Sequence, residues 1–183
     1  MPSGLTYLFI GQPKTGKTTS CSKWSELGSD GVILLDTDLG ADFVDGVNAV
    51  TVGSLNAPTR AIEHEGKQVV KNGAPQFEVV PPLERGFVQR SGKGKGKPIE
   101  SYSLIEVYNW LNTEWDTLPY DTIVIDTIGQ VNEWVEQTVI EELGITARGE
   151  GQWGADWGKA RRIRGTRKLE SMKLSVVGEH LNG

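Results

Sequence analysis

The sequence predicts an α/β fold, a mostly parallel sheet flanked by helices, and three observations predict it. Aliphatic runs of four to six residues recur at positions 5–10, 32–35, 47–52, 122–125 and 174–177, and they lack the strict polar–apolar alternation of half-exposed strands, so both faces are covered. Between them, residues 17–27, 103–111, 130–143 and 155–172 can form helices with one apolar face. A glycine-bounded turn lies between the first run and the first helical segment.

Taken in order, the run at 5–10 is a strand by its Leu, Tyr, Phe and Ile content and leads straight into Gly11. The helix at 17–27 follows. The run at 32–35 is a covered strand closed by acids, and 47–52 is the next. From 53 to 102 the periodicity is lost, and the Gly–Lys alternation at 92–98 can neither bury a core nor hold a helix. This segment reads as a long irregular insertion with a mobile loop. Regular structure returns at 103–111, where Leu104, Val107, Tyr108 and Leu111 share a helical face. The strand at 122–125 ends on Asp126, and Val131, Trp134, Val135, Thr138 and Val139 make the next helical face. Residues 144–158 are Gly-rich, yet carry Trp153 and Trp157, rings that call for a cover.

Composition bounds the possibilities. The 183 residues are 37% hydrophobic and 23% charged, enough for a single packed domain spanning 1–183. A formal net charge of −5 excludes a uniformly basic nucleic-acid coat, so any polyanion site is a local patch. No aliphatic run approaches the ~20 residues that cross a bilayer, and no charged-then-apolar leader precedes Leu5, so no membrane association is expected. The single cysteine, Cys21, has no partner for an internal disulfide or a zinc cluster. The expected compartment is the cytoplasm, that of the host if the protein is viral.

Gly11-Gln12-Pro13-Lys14-Thr15-Gly16-Lys17-Thr18 fits G-x-x-x-x-G-K-[ST] without a gap and stands after a strand and before a helix. The glycines let the chain wrap so that backbone amides converge on an anion, and the helix start adds positive potential. A triphosphate, ATP, suits that turn. Lys17 reaches the β- and γ-phosphates, the Thr18 hydroxyl takes Mg²⁺, and Thr19 lies where an α-phosphate contact is made. Lys14 is either a second phosphate contact or a solvated side chain. Cys21, on the first helix, is a packing residue rather than a nucleophile.

Two acidic strand ends follow. Asp126, closing Thr122-Ile-Val-Ile, is placed to organise Mg²⁺ at the carboxyl end of a parallel strand beside the phosphate-loop strand. Leu35-Asp36-Thr37-Asp38-Leu39-Gly40-Ala41-Asp42 offers Asp38 as the carboxylate that orients an attacking water, with Asp36 favoured for a structural role in the turn.

Phosphate loop, Leu-Asp-Thr-Asp-Leu-Gly-Ala-Asp, Ile-Val-Ile-Asp-Thr-Ile and finally Val-Val-Gly-Glu-His at 176–180 resemble, in this order, the signatures of RecA-like P-loop ATPases, and within them the phage-type group with single-strand-annealing recombinases. The resemblance implies that Asp38 stands for the family's catalytic glutamate, Asp126 for its metal-organising aspartate and His180 for the polar residue that senses the γ-phosphate. It also implies homo-oligomers and a place in recombination or replication. Asp38 is one methylene shorter than glutamate, which predicts slow turnover. The chain stops three residues past His180 where such cores continue, so either the product is truncated or another chain supplies the missing elements. On its own chemistry His180 is a polar residue at a fraying terminus, and His64, between two glutamates, is a solvated surface residue.

Two basic clusters interrupt the acidic total. Arg85, Arg90, Lys93, Lys95 and Lys97 crowd one segment, and Lys159, Arg161, Arg162, Arg164, Arg167, Lys168 and Lys173 another. With Phe87, Trp153 or Trp157 to stack on bases, they suit single-stranded DNA; as solvated faces they need no partner. An arginine of the second cluster is alternatively a finger toward a neighbouring subunit's γ-phosphate. The reading that follows is an Mg·ATP-dependent ATPase acting on single-stranded DNA. A small-molecule or nucleotide kinase with an arginine lid at 159–168, or an ATP-binding assembly module with little hydrolysis, are the alternatives.

Overall fold

A computed structural model describes residues 7–12, 15–21, 23–25, 27–41 and 46–143. The expected strand at 174–177, helix at 155–172 and Trp-bearing stretch at 144–158 lie outside them. The chain divides into two compact units, Met1–Lys17 with Thr127–Gly183, and Thr18–Asp126.

The chain enters the second unit within a single-turn helix, α1 (Lys17–Cys21). A helix through residue 27 was the sequence expectation, but tighter turns take over after Cys21: Lys23 N–H donates to Ser20 O and Trp24 N–H to Cys21 O, both at 3.2 Å. The buried Ser25 hydroxyl then accepts from Leu27 N–H at 2.9 Å, a local bond that competes with helix propagation. There follow β1 (Val32–Asp36), β2 (Asn48–Ser54), six short strands β3 (Thr59–Ala61), β4 (Glu63–His64), β5 (Lys67–Gln68), β6 (Val70–Lys71), β7 (Ala74–Pro75) and β8 (Phe77–Val79), then β9 (Tyr102–Ser103), α2 (Leu104–Glu114) and β10 (Thr122–Asp126).

Four strands form a parallel sheet in the order β10-β1-β2-β9. β1 is flanked on both sides, and Val32, Ile33, Leu34 and Leu35 are each no more than 2% exposed. This explains its unbroken aliphatic composition. With Val52, Leu104, Val107 and Leu111 they make the core, each contributing about 1.5–3 kcal/mol of burial before ordering costs. α2 lies against β2 and β9 and starts on a capping box: Glu106 N–H donates to Ser103 Oγ at 3.2 Å and Ser103 N–H to Glu106 Oε2 at 2.7 Å.

The segment at 53–102, expected to be irregular, is paired over residues 59–79, while 80–101 hold short 3-10 turns and one isolated bridge between Val88 and Pro98. β3 and β8 form an antiparallel stem, from which β4–β5 and β6–β7 branch as two hairpins. Their tips are Glu65-Gly66 (φ 54° and 72°) and Asn72-Gly73 (φ 54° and 80°), the left-handed pairs that type I′ turns need. Where the three arms meet, Ile62 N–H donates to Gln76 O, Gln76 N–H to Val69 O and Val69 N–H to Ile62 O, at 2.8–3.0 Å, closing a ring. The Gly–Lys stretch is hydrogen-bonded too: Ile99 N–H donates to Phe87 O, Gln89 N–H to Lys97 O and Gly96 N–H to Gln89 O, at 2.9–3.0 Å.

Arg85 seats this excursion on the core. Its guanidinium meets Glu106 in a bidentate pair at 2.6 and 2.7 Å and donates to Val80 O and Ser101 O. Its side chain is 3% exposed, which corrects its grouping with the solvent-facing basic cluster: an ion partner 21 residues away takes it inside. Nearby, a Cβ on Gly53 would fall on the Phe87 ring and the Ser101 hydroxyl, so only glycine lets the ring lie on β2.

In the first unit, α3 (Ile128–Leu143) buries Val131 and Val135, four residues apart on one face. Residues 7–10 carry no strand, against the sequence expectation, and Tyr7, Leu8, Phe9 and Ile10 are 45–89% exposed. Aliphatic composition favours a covered strand, but the ladder and not the composition makes one. Among the described strands, β10 has β1 as its ladder neighbour.

Candidate nucleotide-binding site

The loop of the first unit is built from its own side chains. Gly16 has φ 82°, a left-handed turn that glycine makes without strain. The Thr15 hydroxyl donates to Gln12 O at 2.9 Å. Lys17 folds back, its Nζ donating to Gly11 O at 3.0 Å and Gln12 O at 2.8 Å. The ammonium is thus held over the loop by two neutral carbonyls, partners that anionic phosphate oxygens would outcompete. Pro13 and Lys14 lie outside the described residues.

Thr18, Asp36, Asp38 and Asp126 all belong to the second unit. The Thr18 hydroxyl donates to Asp126 Oδ2, joining residues 108 apart in sequence. Asp126 is brought there by the register of β10 on β1, which pairs Asp36 with Asp126 at the strands' carboxyl ends. Thr37 N–H donates to Asp126 O at 2.7 Å and extends that pairing by one residue. Carboxyl ends of parallel strands are where α/β sheets take ligands. A hydroxyl and a carboxylate oxygen in contact are hard donors of the kind Mg²⁺ prefers, and Mg²⁺ uses few protein ligands. Among the described residues no group of three or more His, Cys, Asp and Glu forms a metal cage.

Asp36 does structural work. Its two oxygens accept from Gly40 N–H at 2.9 Å and Ala41 N–H at 3.0 Å, and burial pushes its carboxyl up from the ordinary value against the pull of those amides. The turn it holds presents Asp38, an exposed side chain whose Oδ1 accepts from Gly40 N–H at 3.0 Å. Between them Leu39 has φ 62°, a left-handed conformation that a bulky side chain rarely adopts. No sequence signal announces it. Arg90 Nη1 donates to Asp38 O at 3.3 Å, a link from the insertion to the acidic turn that grouping Arg90 with the lysines does not suggest.

Thr19 sits exposed on α1. Cys21 is buried, and burial, followed by the nearby Asp126 charge, raises its thiol above the ordinary value, as suits a packing residue. Lys93, Lys95 and Lys97 are exposed on the Gly–Lys hairpin. His64 is exposed on β4. His180, Arg161, Arg162, Arg164 and Arg167 lie outside the described residues. Among the described residues no helix is long and apolar enough to cross a membrane.

A model of the AAA domain family matches residues 3–177. No curated protein and no solved structure matches the chain.

Proposed function

Since the chain belongs to the AAA domain family of P-loop ATPases, we propose that it is a RecA-like Mg·ATP-dependent ATPase that works on single-stranded DNA in recombination or replication, as a homo-oligomer. The observation that carries the nucleotide reading is the bond between the Thr18 hydroxyl and the Asp126 carboxylate at the end of a parallel strand. Gly11, Gln12, Thr15 and Gly16 supply the turn, and Lys17 exchanges its two carbonyl partners for phosphate oxygens. Thr18 and Asp126 are the residues that would hold Mg²⁺, which when bound draws charge from the β- and γ-phosphate oxygens. Asp38 is the exposed carboxylate that orients water, and its short reach fits slow turnover. Lys93, Lys95 and Lys97 offer the polyanion patch.

Lys17→Ala is expected to abolish ATP binding by calorimetry; unchanged affinity refutes the role of the loop. ATP hydrolysis with and without a single-stranded oligonucleotide tests the rest. Stimulation by DNA supports the proposal, dependence on a small acceptor marks a kinase, and ATP binding without turnover marks an assembly module.

A further inference from the structure

We propose that Arg90 is a positioning residue for Asp38, so that the insertion's Gly–Lys hairpin sets the geometry of the acidic turn; the inference rests on the reading of Asp38 as the water-orienting carboxylate. The turn between Asp36 and Ala41 has a reason to need an external hold. Leu39 is left-handed at φ 62°, a conformation that is unfavourable for a bulky residue and persists only where surroundings impose it. From inside, Asp36 grips Gly40 and Ala41. From outside, the Arg90 guanidinium grips Asp38 O at 3.3 Å, across 52 residues of sequence.

Arg90 is itself registered. The residue before it, Gln89, is fixed on both backbone groups, N–H to Lys97 O at 3.0 Å and O from Gly96 N–H at 2.9 Å. A Cβ on Gly94 would collide with the Gln89 side-chain carbonyl, so the glycine lets that side chain lie across the hairpin. Phe87, paired with Ile99, rests over Gly53 of β2. The chain of contacts from sheet to hairpin to Arg90 to Asp38 O lies wholly in the Thr18–Asp126 unit. Because Arg90 touches a main-chain oxygen and not the carboxylate, it acts on the direction in which Asp38 points.

The test uses the full chain with Arg90→Ala, Arg90→Lys, Asp38→Asn and the Arg90→Ala/Asp38→Asn double variant. Arg90→Ala is expected to lower kcat about tenfold, the cost of a misdirected catalytic group, with KM for ATP within about twofold. Arg90→Lys, keeping a donor, restores part of the loss, and in the Asp38→Asn background Arg90→Ala adds nothing further. Amide exchange at Gly40 and Ala41 quickens in Arg90→Ala whatever the turnover. Unchanged kcat and unchanged exchange in Arg90→Ala overturn the inference, as does an equal loss in the Asp38→Asn background. An Asp38→Asn variant with wild-type kcat instead sinks the water-orienting reading, and the exchange rates then decide Arg90's hold on the turn alone.

Discussion

Replacing Glu106 by Gln perturbs the joint that seats the insertion on α2. Glu106 accepts two bonds from Arg85 and one from Ser103 N–H, and Arg85 foremost holds its carboxyl down from 4.5 to about 2. At about 1.4 kcal/mol per pH unit that depression sets a ceiling of about 3 kcal/mol. Because 32% of the Glu106 side chain reaches solvent, screening brings the expected loss to about 2 kcal/mol at neutral pH. Gln can accept one guanidinium bond through its oxygen but turns an NH₂ toward the other, leaving part of a buried cation unmatched. The folded carboxyl is the stronger acid, so the stabilisation is complete above pH 4.5 and drains as pH falls toward 2. Urea melts of wild type and Glu106→Gln read the difference directly, and their gap is expected to shrink by more than half between about pH 6 and pH 3. A gap below about 0.5 kcal/mol at pH 7, the range of ordinary surface changes, or one flat from pH 7 to pH 3, refutes the reasoning.

Gly53→Ala drives a methyl into Phe87 and Ser101 and is expected to cost about 1–3 kcal/mol by thermal melting, with Phe87→Leu in the same chain recovering part. Asp36→Asn leaves one of the Gly40 and Ala41 amides without its carboxylate oxygen; about 1–2 kcal/mol of stability goes, read in urea, and ATP turnover falls with it through the loosened Asp38 turn. The raised, buried Cys21 thiol is expected to react with iodoacetamide at pH 8 at least about tenfold more slowly than a free thiol; mass spectrometry follows the adduct.

The sheet was legible because the aliphatic runs of β1 and β10 both end on aspartates, β1 being the covered one and β10 a part-exposed edge of the described sheet, and Asp36 was readable as a turn anchor because acids at strand ends bond the next amides. Ser103 and Glu106 also spell a capping box in plain sequence. The insertion was not legible. Its hairpin arms hold two residues per strand, too few for any periodicity to register, although Asn72-Gly73 is a strong local turn signal. Arg85 looked like its lysine neighbours because its partner lies beyond the reach of local pattern. Leu39 could not be foreseen at all, since its backbone is set by contacts from Asp36 and Arg90 around it and not by its own preference. At residues 7–10 the error ran the other way, composition standing in for a ladder.

The ring joining Ile62, Val69 and Gln76 closes on backbone groups alone. Each of the three positions must therefore keep its N–H, which shuts out proline, and each hairpin tip lies beyond the ring on its own arm. Lengthening the tip at Glu65-Gly66 or at Asn72-Gly73 leaves the other arm and the stem undisturbed, which makes either tip a port for an epitope or a fluorophore in following the working protein.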